Sequence, residues 1–249
     1  MLEVSREGRV LRLTLNRPEK RNALNGALCR ELVSAIEDGD RDTGVGAILL
    51  SGAGVSFCAG MDLSEMLTPE ASALADIHER LFTIGRRVTV PIIAAVQGAA
   101  LAGGTGLAAN AHIVVAAEDA TFGLTEIRIG LWPLVIYRAV VDSVGDRRAL
   151  ELGITGRTFS ASEAAEMGLA HYVVPASELV DRAGKIAAGV AEASPMAMRA
   201  GLRFVAETRG LDWDTSGRVA RRFREELFKT TDFAEGIRAF REKRPPKWS

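Results

Sequence analysis

The chain reads Phe57-Cys58-Ala59-Gly60-Met61-Asp62-Leu63 in one place and GAALAGGTGLAAN over residues 98–110 in another. Each stretch follows an apolar run, Ala47-Ile48-Leu49-Leu50 before the first and Val90 to Val96 before the second. Short apolar runs bounded by turn residues predict buried strands, and the small residues after them lead into helix starts. A helix start exposes amides that no carbonyl within the helix can take, with a partial positive charge. Two such ends facing one another would make a two-amide oxyanion site. Taken singly, either stretch is equally an arrangement for tight turns and close packing. Asp62 followed by Glu65 has the spacing of a capping box, which predicts a helix over 62–67 and a structural role for Asp62.

The surrounding sequence has mixed strand and helix texture. Val10 to Leu15 alternates as a half-buried strand, and Asn16-Arg17-Pro18-Glu19-Lys20 reads as a turn. Leu28, Leu32, Ala35 and Ile36 share a helix face. A small-residue helix from about Gly104 follows a glycine-rich loop. Ile113–Ala116, Thr121–Gly123 and Tyr172–Val174 read as strands, and Ala161–Met167 and Leu179–Ala193 as helices. Ser194-Pro195 is an N-cap with proline at the first helical position. Beyond it come only helical stripes, Val219/Phe223/Leu227 and Phe233/Ile237/Phe240. A boundary near residue 190 separates an α/β core, 1–190, from a C-terminal helical region, 191–249.

Composition excludes several function classes. The chain has 249 residues, 47% of them hydrophobic, and 31 basic against 32 acidic side chains, which gives no global case for nucleic acid or a membrane surface as partner. Neither a signal peptide nor a membrane span is expected, and Cys29 and Cys58 fit a reducing cytoplasm better than a disulfide framework. His78, His112 and His171 stand alone, without metal-ligand spacing, so no metal is expected; His78 reads as a surface or capping residue. Gly104 to Ala109 fits G-x-G-x-x-A, but loop residues stand where a dinucleotide motif needs its strand to end.

Taken in order, the motifs resemble the crotonase superfamily, the enoyl-CoA hydratase/isomerase family. Asn16-Arg17-Pro18 through Asn22-Ala23-Leu24, FCAGMDL, GAALAGGTGLAAN, Phe122 to Glu126 with Gly130 and Pro133, and the ending EGIRAFREKRPPKW (235–248) all carry the likeness. The resemblance implies a spiral of strand-strand-helix turns with a C-terminal helical part used to form a homotrimer or a dimer of trimers. It implies an acyl-CoA thioester as substrate, with coenzyme A entering as part of that substrate and no separate cofactor. By motif position the carbonyl would sit between the amides of Met61 and Gly103, and Glu126 would be the acid/base. Ala23, Ala59, Asp62, Leu63, Leu101, Gly104, Pro133 and Leu134 are further candidates for binding the substrate, and Trp132 would line the acyl pocket. Lys20 and Arg21 lie where the family's first signature runs past the nucleotide. Residues 218–247 hold ten basic and five acidic side chains, so Phe240 and Lys243 of a neighbouring subunit are further candidates for the CoA end.

Two departures matter. Family hydratases carry a second glutamate three residues beyond the Gly103 position, where this chain has Gly106. They also carry a glycine-rich turn after Pro133, where this chain has Leu134-Val135-Ile136-Tyr137-Arg138. A double-bond shift needs one base, whereas hydration is commonly drawn with two carboxylates on one water. The reading is therefore enoyl-CoA isomerisation. The alternatives are a hydratase of fatty acid metabolism with a non-standard acid/base pair, with Tyr137 as a possible hydroxyl, and a non-catalytic acyl-CoA binder.

Overall fold

The structure is a computed structural model and describes residues 1–66 and 74–248. Successive turns of chain each lay a strand in a six-stranded sheet, cross to a rung of a smaller sheet, and return through helix. The first turn holds β1 (Leu2–Glu7), β2 (Val10–Leu15), a rung at Leu24 and α1 (Gly26–Arg41). The second holds β3 (Ala47–Gly52), rungs at Cys58 and Met61, α2 (Leu63–Met66) and α3 (Ala75–Phe82). The third holds β4 (Ile92–Val96), β5 (Ala99–Leu101) and α4 (Gly103–Asn110). The fourth holds β6 (Ile113–Ala117), β7 (Thr121–Gly123), a 3-10 turn at Thr125–Ile129, α5 (Leu134–Val144) and α6 (Asp146–Thr155). Then come β8 (Thr158–Ser160), α7 (Ala161–Met167), β9 (Tyr172–Val174) and α8 (Leu179–Ala191). The chain closes with α9 (Pro195–Thr208), α10 (Trp213–Leu227) and α11 (Thr231–Glu242).

The large sheet runs β1-β2-β3-β4-β6-β9, antiparallel only between β1 and β2. Its inner strands are buried on both faces, which is why they read as unbroken apolar runs. Ile48 and Leu50, Ile92 and Ala94, Val114 and Ala116 face the main core against α1, α3 and α4. Ala47 and Leu49, Ile93 and Ala95, Val115 and Ala117 face the other way. There Leu179, Ala183, Ala187 and Ala191 of α8 lie flat on the sheet. The smaller sheet runs β5-β7-β8.

Several expectations need correction. The stretch from Gln97 to Gly103, expected as loop, contains β5, which pairs in parallel with β7. Glu65 does not reach back to close a capping box; its Oε2 accepts from the Gly26 amide at 2.7 Å and so joins α2 to the start of α1. Of the helix expected over 62–67, Leu67 lies outside the described residues. His78 is buried in α3 rather than on the surface. Its Nε2 has no partner among the described residues, and burial lowers its pKa. In α11 the stripe of Phe233, Ile237 and Phe240 is exposed in the single chain, while Asp232 and Ala239 face inward.

Candidate active site

The site begins in the turn after β2. Asn22 is fully buried; its Oδ1 accepts from the Arg17 amide at 2.9 Å, and its Nδ2 donates to the Ala53 and Ser56 carbonyls at 2.9 and 2.8 Å. Those bonds hold Arg21 and Asn22 in left-handed backbone, φ 50° and 56°. Lys20 and Arg21 point into solvent, and the Arg21 carbonyl accepts from the Ala59 amide at 2.9 Å. Arg17 reaches across the turn, donating to the Ala23 carbonyl at 2.6 Å and to Asp62 Oδ2 at 2.9 Å. The other oxygen of Asp62 accepts from the Ser64 hydroxyl at 2.7 Å and the Ser64 amide at 3.2 Å, capping α2. The Ser64 hydroxyl first, and Arg17 after it, hold the Asp62 carboxyl below the usual range. The partners of Asp62, Arg17 and Ser64, are structural, and Leu63 beside it is half exposed.

Two backbone amides are left over by this packing. Leu24 donates to the Gly60 carbonyl at 2.8 Å and accepts from the Asp62 amide at 2.9 Å, so the rung skips Met61's own N–H. Gly103 opens α4, where the first amides have no intrahelical acceptor. Among the described residues, neither the Met61 nor the Gly103 amide has an acceptor. The two lie close together. A Cβ on Gly60 (φ 97°) would stand 2.9 Å from Ala102 Cβ, 3.0 Å from the Leu101 carbonyl oxygen and 3.4 Å from the Gly103 nitrogen. Gly104 fits against the Cys58 carbonyl, which a Cβ would approach to 2.1 Å. Cys58 itself is buried filler, its thiol pushed up to about 12 by burial.

The start of α4 is clamped from behind. Ala102 has φ 50° and ψ −116°, a conformation costly for a residue with a Cβ, and its amide donates to the Gly123 carbonyl at 2.8 Å. Thr105 is fully buried; its hydroxyl donates to the Ala100 carbonyl at 2.6 Å and accepts from the Gly123 amide at 3.0 Å. Neither Thr105 nor Asn22 stands out in the sequence as a site residue, because each acts through distant backbone.

Glu126 sits in the 3-10 turn that follows β7. It is partly buried, its Oε2 has no partner among the described residues, and burial raises its carboxyl pKa. At Gly106, in α4, a Cβ would lie 2.3 Å from Ile136 Cγ2, 2.8 Å from Ile136 Cβ and 3.1 Å from Phe82 Cδ1. Position 106 therefore lacks both a carboxylate and the room for one. The segment after Pro133 is the first turn of α5. There Leu134 is 76% exposed, and Trp132 packs on Gly153 of α6 with its ring 5.9 Å from that of Tyr137.

The remaining candidates lie elsewhere. Phe240 and Lys243 end α11, which packs on α9; Phe240 is 83% exposed. No hydrogen bond, ion pair or ring contact among the described residues ties either to the loop cluster. Some of the local positive charge is neutralised, since Arg244 pairs with Glu235 and Glu242. His112 and His171 each accept a strand amide through Nδ1, from Ile92 and Val114. Among the described residues no group of histidine, cysteine or carboxylate side chains could hold a metal, and no helix is long and apolar enough to cross a membrane.

A spiral core whose loops leave the Met61 and Gly103 amides without acceptors among the described residues defines a class, and comparison with known proteins agrees with it. The sequence profile of the enoyl-CoA hydratase/isomerase family matches residues 5–249, and the chain belongs to that family, with the crotonase fold. It is similar to an enoyl-CoA hydratase of Mycobacterium tuberculosis, 36% identical over 98% of this chain and 95% of that one. The 2,3-dehydroadipyl-CoA hydratase of Escherichia coli is 36% identical, over 98% of this chain and 97% of that one. The crystal structure of an enoyl-CoA hydratase from Bacillus anthracis superimposes with a TM-score of 0.94 at 32% identity, covering 99% of this chain and 98% of that one. Human enoyl-CoA hydratase domain-containing protein 3 gives a TM-score of 0.94 at 29% identity, covering 99% of both chains.

Proposed function

We propose that this enzyme moves the double bond of an enoyl-CoA ester, with Glu126 as the single proton carrier. The thioester carbonyl would accept from the Met61 and Gly103 amides. In that pose Glu126 takes a proton from carbon 2 of a 3-enoyl ester. The electrons move onto the carbonyl oxygen, where each preorganised amide contributes about 3 kcal/mol. The same carboxyl then returns the proton to carbon 4 and leaves a 2-enoyl ester of unchanged mass. No cofactor takes part, because coenzyme A arrives attached to the acyl group.

One observation carries the choice of reaction: Glu126 is a partly buried carboxylate whose Oε2 has no partner among the described residues, and position 106 offers no second one. A raised pKa makes Glu126 a better base when ionised. Hydration is the second reading, favoured by the names of the relatives, among them the hydratases of Mycobacterium tuberculosis and Escherichia coli at 36% identity. In assembly we propose a homotrimer or a dimer of trimers, supported by the exposed apolar stripe on α11. In such an assembly Phe240 and Lys243 would reach the CoA end of a neighbour's site.

Incubation with a 3-enoyl-CoA and, separately, a 2-enoyl-CoA, with products identified by mass, tests the reaction. Conversion of the 3-enoyl ester to its 2-enoyl isomer without gain of water supports the proposal. Water addition to the 2-enoyl ester as the faster reaction replaces it with hydration. Binding of both esters with no product leaves an acyl-CoA binder.

A further inference from the structure

Position 106 is closed by a particular side chain. Ile136, in the first turn of α5, is 1% exposed and places its Cγ2 methyl 2.3 Å, and its branched Cβ 2.8 Å, from where a Cβ on Gly106 would be. Phe82 from α3 closes the same space at 3.1 Å and is 2% exposed. Both neighbours belong to the packed core, so neither can swing aside as the tip of a surface side chain would. Gly106 is thus one half of a matched pair, a bare backbone on α4 and a branched residue on α5 seated against it.

We propose that Ile136 is a specificity-determining residue: by filling the volume that a side chain at position 106 would need, it keeps a second carboxylate and its water out of the site. The proposal rests on the isomerase reading and deepens it. With Ile136 in place that wall is apolar, and the proton that leaves the substrate has only Glu126 to ride on. Replacing Gly106 alone should therefore not yield a hydratase, because the new carboxylate would be forced into the core or displace α5. Alanine at 136 would keep a Cβ at the 2.8 Å contact, so glycine is the change that clears the space.

The test compares the wild type with Gly106→Glu, Ile136→Gly and the double variant, measuring water addition to a 2-enoyl-CoA, isomerisation of a 3-enoyl-CoA and Tm. Gly106→Glu alone is expected to lower Tm by roughly 4 °C or more without raising hydration. The double variant is expected to regain Tm relative to Gly106→Glu and to hydrate at least ~10-fold faster than wild type. The proposal is overturned if Gly106→Glu alone gains hydration at unchanged Tm, or if a folded double variant gains none. Should the double variant not fold, Gly106→Ala with and without Ile136→Gly decides it: independent effects on Tm overturn the steric pairing, and mutual rescue supports it. Rapid hydration by the wild type would instead count against the isomerase reading, a result separable from every variant comparison.

Discussion

Arg17 and Asp62, 45 residues apart, meet at 2.9 Å with their side chains only 12% and 14% exposed. Arg17 belongs to the turn that holds Leu24, and Asp62 begins the helix that follows Met61, so the ion pair closes a ring around the Met61 amide. Breaking it should disturb both the fold and the aim of that amide. Arg17→Met should cost about 3 kcal/mol in urea unfolding, since it leaves the Asp62 carboxylate short of its partner in a largely buried place. Turnover should fall in the residual folded protein more than acyl-CoA binding does. A variant with wild-type kcat would show that the pair serves stability alone.

Replacing Glu126 with Gln should reduce kcat by about 100-fold or more while CoA-ester binding persists. In the wild type, kcat should fall as pH drops through the Glu126 pKa, and that fall should lie above the ordinary carboxylate range because burial raises it. A pH–rate profile of both proteins checks this. An acid limb at the same pH in Glu126→Gln would assign it to another group.

Ala102 holds a left-handed backbone with its Cβ in place, so Ala102→Gly should relieve strain. The greater freedom of glycine in the unfolded chain offsets part of the gain, leaving about 1 kcal/mol of added stability. Thermal unfolding should show a rise of roughly 2–4 °C for a chain of this size. A fall in Tm would mean that the Cβ packs more favourably than the backbone suffers.

Arg244, helped by the Lys247 amide, lowers the Glu235 pKa from 4.5 to about 2. A carboxylate with a depressed folded pKa contributes stability in full above its unfolded pKa and loses it as pH falls through the folded one. The contribution from Glu235 should therefore disappear between pH 4.5 and about 2. Stability measured against pH should be less steep over that window in Glu235→Gln. Parallel curves for the two proteins would remove Glu235 from the acid transition.

What was legible in the sequence is what short range decides. The two glycine-bearing stretches declare themselves because tight backbone approach excludes side chains, and α7 and β9 fall where periodicity and caps place them. β1 is harder to read because five of its six residues are exposed, so it lacks the alternation of a half-buried strand. The spacing of Glu65 predicts a local cap, yet the amide it takes belongs to Gly26, far back along the chain. Asn22 and Thr105 look like ordinary polar residues until the folded chain brings backbone groups to them. The bulk after Pro133 predicts a reshaped site, but only the three-dimensional register of α5 on α4 reveals that Ile136 is the residue seated against Gly106.

The small sheet has a consequence for the order of events during synthesis. Its rungs are Leu24 against Met61, Cys58 against Ala100, and β5 against β7, so each turn of the spiral is stitched to the one made after it. A nascent chain that has emerged only as far as Asn110 already contains Met61, Gly103 and the whole of α4. It still lacks Gly123, whose carbonyl and amide fix Ala102 and Thr105. The unfinished chain would carry both amides without the clamp on the start of α4, so acyl-CoA capture should begin only after β7 has left the ribosome and docked.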